Sequence, residues 1–399
     1  MTVSGSTCLN SIASWASLLC IYSARKVLIQ WNTLTMSVFK RPKLHGQETV
    51  TRVSVDPTCK GGFEIAANSE KGIMSFPLEL QGEVLSHFQK IDYLTRTPHD
   101  NPILPEEYME YTDALRALSQ VSVAYRHVFL PLLWETVNVC FSARGANSNS
   151  FFKHVGEALI RKSDGLKANP ELRPLVKRLN VVLTRYQSKV VLSKFGRLLK
   201  SLPNLTTLHL LHSHTQMTSA FQETFEGVVL PGIRTLLIQG HCHHLLSSCP
   251  NVKDLWCIRG DGHKLVSMIE KHCKSLEELH GFHLNEKYMK KLVKAAPDLR
   301  AFDIPFENYQ TVLAQVPHFK QLDTMVIRAA DIPKFNSKSY KALQKCIQDV
   351  KSKFATMPNA KEKGKIRILY EDVGSWKLAD TFHLPFAQYG NIDIYEAGV

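Results

Sequence analysis

Apolar residues in this chain change their spacing three times. From Phe76, Pro77 opens a turn, Glu79 suits the positive end of a helix, and Leu80, Val84, Leu85 and Phe88 recur at helical intervals, predicting a short amphipathic helix. A second stripe, Leu115, Leu118, Val121 and Tyr125, falls at spacings of three and four and is followed by Pro131, Leu132, Leu133, Trp134 and Val137. Two more helices are expected there, the last entered through Pro131. The stretch between the first and second helices holds Pro98, Pro102 and Pro105 and is expected to be a loop, over 89–113.

From residue 174 a repeat sets in, P-x-φ-x-x-φ-x-φ with φ apolar. It runs Pro174-Val176-Leu179-Val181, Pro203-Leu205-Leu208-Leu210, Pro231-Ile233-Leu236-Ile238 and Pro250-Val252-Leu255-Cys257. It continues with Leu276 and Leu279 after Lys274, then Pro297-Leu299-Phe302-Ile304 and Pro317-Phe319-Leu322. The steps of 29, 28, 19, 24, 23 and 20 residues bracket the leucine-rich-repeat period of roughly 20–29. Alternation within φ-x-x-φ-x-φ predicts a strand, and 264–273 and 285–295 carry helical spacing. Stacked strand-helix units bury together the apolar faces that no single unit can bury alone, which predicts a curved solenoid with a concave parallel sheet. After it, Tyr340, Leu343, Ile347, Val350 and Phe354 predict a helix, and Ile366, Ile368 and Tyr370 a strand, read together as a C-terminal cap.

The expected division is an α/β chain of four parts. A poorly ordered extension over 1–73 precedes a helical domain over 74–140, an irregular solenoid over 141–330 and the cap over 331–399. Net charge of +13 brings nucleic acid and membranes into consideration, but its distribution narrows the choice. Lys and Arg exceed Asp and Glu by nine (12 against 3) within 151–200, where the basic residues are spaced among apolar ones as on solvated helix faces. No aromatic interleaving of the kind stacking platforms use accompanies them, which disfavours a nucleic-acid platform. The apolar run at 11–24 is broken by serines and stopped by Arg25, too short for a span, so no membrane association is expected. Nine scattered cysteines without a CxxC frame suit a reducing compartment, the cytoplasm or the nucleus.

The two halves together resemble the F-box proteins with leucine-rich repeats, in the form common in fungi. The resemblance covers roughly 76–330. Phe76, Pro77, Glu79, Leu80, Val84, Leu85 and Phe88 match the first element of the F-box pattern. Leu115, Leu118, Ser119, Val121, Ser122 and Tyr125 match the second, and Pro131, Leu132, Leu133 and Trp134 the third. Phe76, Ser122 and Tyr125 replace the usual leucine, cysteine and tryptophan, and an insertion of more than 20 residues separates the first two elements. Cys249-Pro250-Asn251-Val252 and Cys273-Lys274-Ser275-Leu276 are similar to the cysteine-containing repeat class.

The resemblance implies a substrate-recognition adaptor of an SCF-type cullin-RING ubiquitin ligase. Its helices would bind a Skp-family adaptor and, through it, a cullin scaffold, with Pro77, Leu80, Val84, Leu85, Phe88, Leu115, Leu118, Val121, Tyr125, Leu133 and Trp134 as the contact set. The repeats would bind an unidentified protein substrate. The non-apolar positions of each strand motif are expected on the concave face, which nominates His209, Arg234, Lys253, Trp256, His280, Arg300 and Asp303. The alternative is a repeat scaffold without ligase coupling.

Chemistry of its own is not expected. No P-loop, G-x-G-x-x-G, G-x-S-x-G or H-E-x-x-H is present, so no catalytic residue and no cofactor are assigned. The run His241-Cys242-His243-His244 near Cys249 and Cys257 offers zinc-type atoms, yet both later cysteines hold repeat positions and no metal is assigned.

Overall fold

The computed structural model describes residues 77–92, 95, 102–142, 151–260, 262–283, 285–329, 338–357, 365–372, 375–378 and 395–396. The extension over 1–73 and Phe76 lie outside the described residues, as do 93–94 and 96–101 of the expected insertion loop.

Three helices lead: α1 (Leu78–Ser86), α2 (Glu107–Val121) and α3 (Val123–Glu135). Two boundaries differ from the periodicity. Tyr125 and Pro131 share α3, because Ser122 breaks the stripe: its backbone is extended and its hydroxyl caps α3 by accepting the Tyr125 N–H. Pro131 therefore sits inside a helix and does not open one. Val137 is a strand residue, and residues 107–113 of the expected loop are the first turns of α2.

The chain then enters one long sheet: β2 (Thr136–Val139), β4 (Arg178–Val182), β5 (Thr207–His212), β6 (Thr235–Gln239), β7 (Asp254–Arg259), β8 (Glu278–His280), β9 (Ala301–Pro305), β10 (Thr324–Ala329) and β11 (Lys365–Asp372). These strands follow one another in that order, all parallel. The short β12 (Ser375–Leu378) and β13 (Tyr395–Glu396) pair antiparallel with β11. A separate two-residue strand, β1 (Ile103–Leu104), pairs with β3 (Phe141–Ser142). The segment read as a cap thus extends the solenoid by one further parallel strand, entered after the predicted helix (Lys338–Phe354).

Helices and 3₁₀ turns cover the other side of the sheet, among them α4 (Phe151–Ala168), α5 (Ser188–Ser201), α6 (Thr218–Phe225), α7 (His263–His272) and α8 (Glu286–Ala295). Between these layers every apolar repeat position quoted above is buried. Leu179, Leu208, Leu236, Leu255, Leu279, Phe302, Met325 and Ile366 occupy one register row from end to end. This is an open α/β solenoid whose core lies under the helices, leaving the opposite sheet face for other uses.

The repeat at Lys274 lacks a third apolar residue for a backbone reason. Gly281 stands there with φ +80°, and a Cβ at that point would overlap the Cys257 carbonyl. The β8 strand ends at His280, and the freed Gly281 N–H donates to Asp303 Oδ2 at 2.7 Å.

Candidate functional site

Two surfaces result, one on the leading helices and one on the concave sheet face. The helices share a small core of Leu85, Ala114, Leu115, Leu118, Tyr125 and Phe129, with Phe88 and Leu133 packed against it. Gln81 ties α1 to α3 by donating to the Tyr125 hydroxyl at 2.7 Å. Of the expected contact set, Leu85, Leu115, Leu118 and Tyr125 are consumed by this core. Trp134 packs on the solenoid core instead. Pro77 and Leu80 are exposed, Leu80 at 53%, while Val84, Phe88 and Leu133 are half-buried. Among the described residues eight large apolar side chains are exposed, and five belong to this segment: Leu78, Leu80, Val121, Val123 and Leu132. Val121 and Val123 flank Ser122, so the α2–α3 corner presents both to solvent.

The concave face is less open than alternation predicts. Asn180, His209, Leu237, Trp256 and His280 form one cross-strand row, and His209 and His280 are buried at 2% and 4% exposure. Asp303, on β9 after Phe302, is also buried. Ile91, Leu104 and Tyr108, from the insertion and the start of α2, pack with Val182, Leu211, Leu237 and Ile258. The segment between α1 and α2 therefore seals the floor over β4–β7. Its sequence signal was apolar residues within a proline-rich stretch, which loop composition hides.

Arg234, Lys253 and Arg300 are exposed, but on the rim where strands begin and away from the floor. Each backbone carbonyl there accepts two N–H groups from the next repeat: Arg234 from Lys253 and Asp254, Lys253 from Glu277 and Glu278, Arg300 from Asp323 and Thr324. Their side chains serve the same stacking: Lys253 pairs with Glu277, and Arg300 Nε lies 3.6 Å from Asp323. Arg234 donates to the Asn251 carbonyl at 3.2 Å.

Further along, Trp256 stacks on His280 with ring centroids 4.0 Å apart and planes 23° apart. His280 Nε2 lies 3.4 Å from Glu278 Oε2, and its Nδ1 lies 3.9 Å from Asp303 Oδ2. Asp254 sits opposite Glu278 in the β7–β8 register. Donor atoms of Asp254, Glu278 and His280 all fall within 4.8 Å of one another. The hydrogen bond with His280 holds the Glu278 carboxyl below its usual range, helped by Arg367 and Arg300. Burial pushes Asp254 up to about 6. Motif reading missed Asp254 and Glu278, although the 24-residue step of the repeat places them in the same phase.

On the convex side, Lys189, Arg197 and Lys200 are exposed on α5, and Lys194 pairs with Asp164 at 2.6 Å. The exception is Lys162: burial lowers its pKa, beside Cys140, whose thiol burial raises to about 12. In the histidine run, the Ser213 hydroxyl contacts both His241 Nε2 and Cys242 Sγ at 2.9 Å, and burial lowers the His241 pKa to about 4. No helix among the described residues is long and apolar enough to cross a membrane.

No family model and no curated protein matches the chain. Among solved structures, a crystal structure of a Bacteroides fragilis protein is similar at 14% identity and a TM-score of 0.33, over 53% of this chain. The match spans 62% of that protein's length. Nothing functional follows from a likeness of that size.

Proposed function

We propose that the chain is a non-enzymatic substrate-recognition adaptor of an SCF-type ubiquitin ligase, its leading helices docking on a Skp-family adaptor that binds a cullin scaffold. The observation that carries the reading is the concentration of exposed apolar side chains on those helices, five of eight among the described residues. Water-exposed Leu80, Val123 and Leu132 at 53%, 74% and 38% suit an interface centre that a partner would desolvate. The solenoid holds a protein substrate and supplies proximity, raising its effective concentration at a conjugating enzyme. Rim residues Arg234, Lys253 and Arg300, with the half-buried Trp256, are the substrate contacts this reading retains. A cytoplasmic or nuclear location belongs to the same proposal, with no nucleic-acid or membrane partner.

Co-expression with a Skp-family adaptor tests it. The folded chain co-purifies with the adaptor, and Leu80→Asp with Val84→Asp abolishes co-purification while the circular dichroism spectrum is kept. Absence of any complex with the folded chain overturns the ligase reading. A repeat scaffold that holds a partner without ligase coupling is the second reading. It is favoured by the burial of Leu85, Leu115, Leu118 and Tyr125 within their own helices.

A further inference from the structure

We infer that Asp254, Glu278 and His280 form a binding site for a divalent metal ion of the zinc class on the concave face of the solenoid. Three features of the fold converge on it. The first is placement: Glu278 and His280 are two apart on β8 and so share a face, while Asp254 is the cross-strand neighbour of Glu278 on β7. Rigid parallel strands thus hold the three donors in one triangle, all within 4.8 Å. Around a tetrahedral ion, with bonds of about 2.0–2.2 Å, donors sit roughly 3.4 Å apart. Glu278 Oε2 and His280 Nε2 already stand at that spacing, 3.4 Å apart.

The second is an imidazole set up as a ligand. His280 is buried at 4% exposure, and its Nδ1 has no hydrogen-bond partner. The carboxylate nearest to that nitrogen is Asp303, at 3.9 Å. A carboxylate behind a ligating histidine fixes the ring and raises its basicity, and Asp303 is itself held by Arg328 and by the Gly281 N–H. On the opposite corner, Asp254 Oδ1 is shut off from solvent, with the Trp256 indole beside its carboxyl.

The third is charge. Arg328 Nε lies 3.1 Å from Asp303 Oδ2 and neutralises it. Two carboxylates, Asp254 and Glu278, then face a divalent ion. One nitrogen and two oxygens are a borderline donor set that suits zinc, manganese or ferrous iron over calcium and magnesium, which take oxygen alone. The Glu278 side chain is 52% exposed, which gives the ion a route in.

The test titrates Zn²⁺ into the purified, chelator-treated full chain by calorimetry, with Co²⁺ absorption as a second probe. Wild type takes up one Zn²⁺ at this site, and its Co²⁺ spectrum shows nitrogen and oxygen ligation without a thiolate charge-transfer band. Glu278→Gln lies on the surface and keeps the fold, yet weakens this binding at least tenfold. Asp254→Asn and His280→Ala do the same. His243→Ala with His244→Ala leaves it unchanged, which separates the site from the histidine run. Equal Zn²⁺ affinity in wild type and Glu278→Gln, or no uptake by folded wild type, overturns the assignment. These readouts do not depend on adaptor binding, so each proposal stands or falls alone.

Discussion

Arg328 and Asp303 form an ion pair sealed into the concave face, Nε 3.1 Å from Oδ2, with side chains 5% and 1% exposed. Arg328 also donates to the Phe282 carbonyl at 2.6 Å, so one cation joins β10 to the turn after β8. Removing Asp303 strands that cation and leaves the Gly281 N–H without its acceptor. Asp303→Ala is expected to cost about 3–5 kcal/mol of stability, since breaking a buried pair from one side leaves an uncompensated charge. Adding Arg328→Met should recover most of the loss. Urea unfolding measures both, and additive losses would refute the pairing.

Two glycines should respond to alanine with opposite signs. Gly281 has φ +80°, and an added Cβ would overlap the Cys257 carbonyl, so Gly281→Ala combines strain with a clash against unyielding backbone. A loss of more than about 2 kcal/mol is expected. Gly82 lies inside α1, with no atom within 4 Å of the Cβ position. Gly82→Ala should stabilise α1 by roughly 0.5–1 kcal/mol. Hydrogen exchange of α1 amides reads the second effect locally.

The solenoid was legible because Leu208, Leu236 and Leu255 recur at a fixed phase, and burial of a shared face leaves no other solution for them. The helix boundaries were not, because the apolar stripe runs through Ser122 and only its cap geometry shows the break. Alternation put His209, Trp256 and His280 opposite the core row, where they share one cross-strand row, but it made them solvent-facing, whereas His209 and His280 are buried. It could not tell that Ile91, Leu104 and Tyr108 would lie over part of that row, because such contacts join segments far apart in sequence. Arg234, Lys253 and Arg300 were put on the floor because the motif does not reveal that the strand starts one residue later. Asp254 and Glu278 escaped notice for the same reason: each occupies that later position, and only neighbouring strands bring them together.

His209 makes acid stability predictable in sign. Burial, and the charge of Arg178, lower its pKa to about 3, so the folded chain keeps the ring neutral while the unfolded chain protonates it near 6.5. Its contribution is complete above pH 6.5 and declines as pH falls toward 3, by at most roughly 1.4 kcal/mol per pH unit. Urea midpoints at pH 7 and pH 5 should differ less in His209→Leu than in wild type. His241 is present in both chains and cancels from the comparison. An unchanged difference would show that His209 titrates normally.

Position on the leading helices, not hydrophobicity, should decide what an aspartate does there. Val123 is 74% exposed at the α2–α3 corner, and Leu80 is 53% exposed on α1. Each sheds little buried area on substitution, so Val123→Asp and Leu80→Asp should change stability by no more than about 0.5 kcal/mol. Leu118 is 8% exposed and packs with Leu85, Tyr125 and Phe129. Leu118→Asp forces a carboxylate into that core and should unfold the three helices, because the charge has no partner and desolvation costs several kcal/mol. The contrast separates two roles that an apolar stripe confuses. Thermal melts read stability, and a Skp-family pull-down reads docking. On the adaptor reading, the surface aspartates lose the complex at unchanged melting temperature. If they melt early instead, these side chains are core after all, and the open apolar face does not exist.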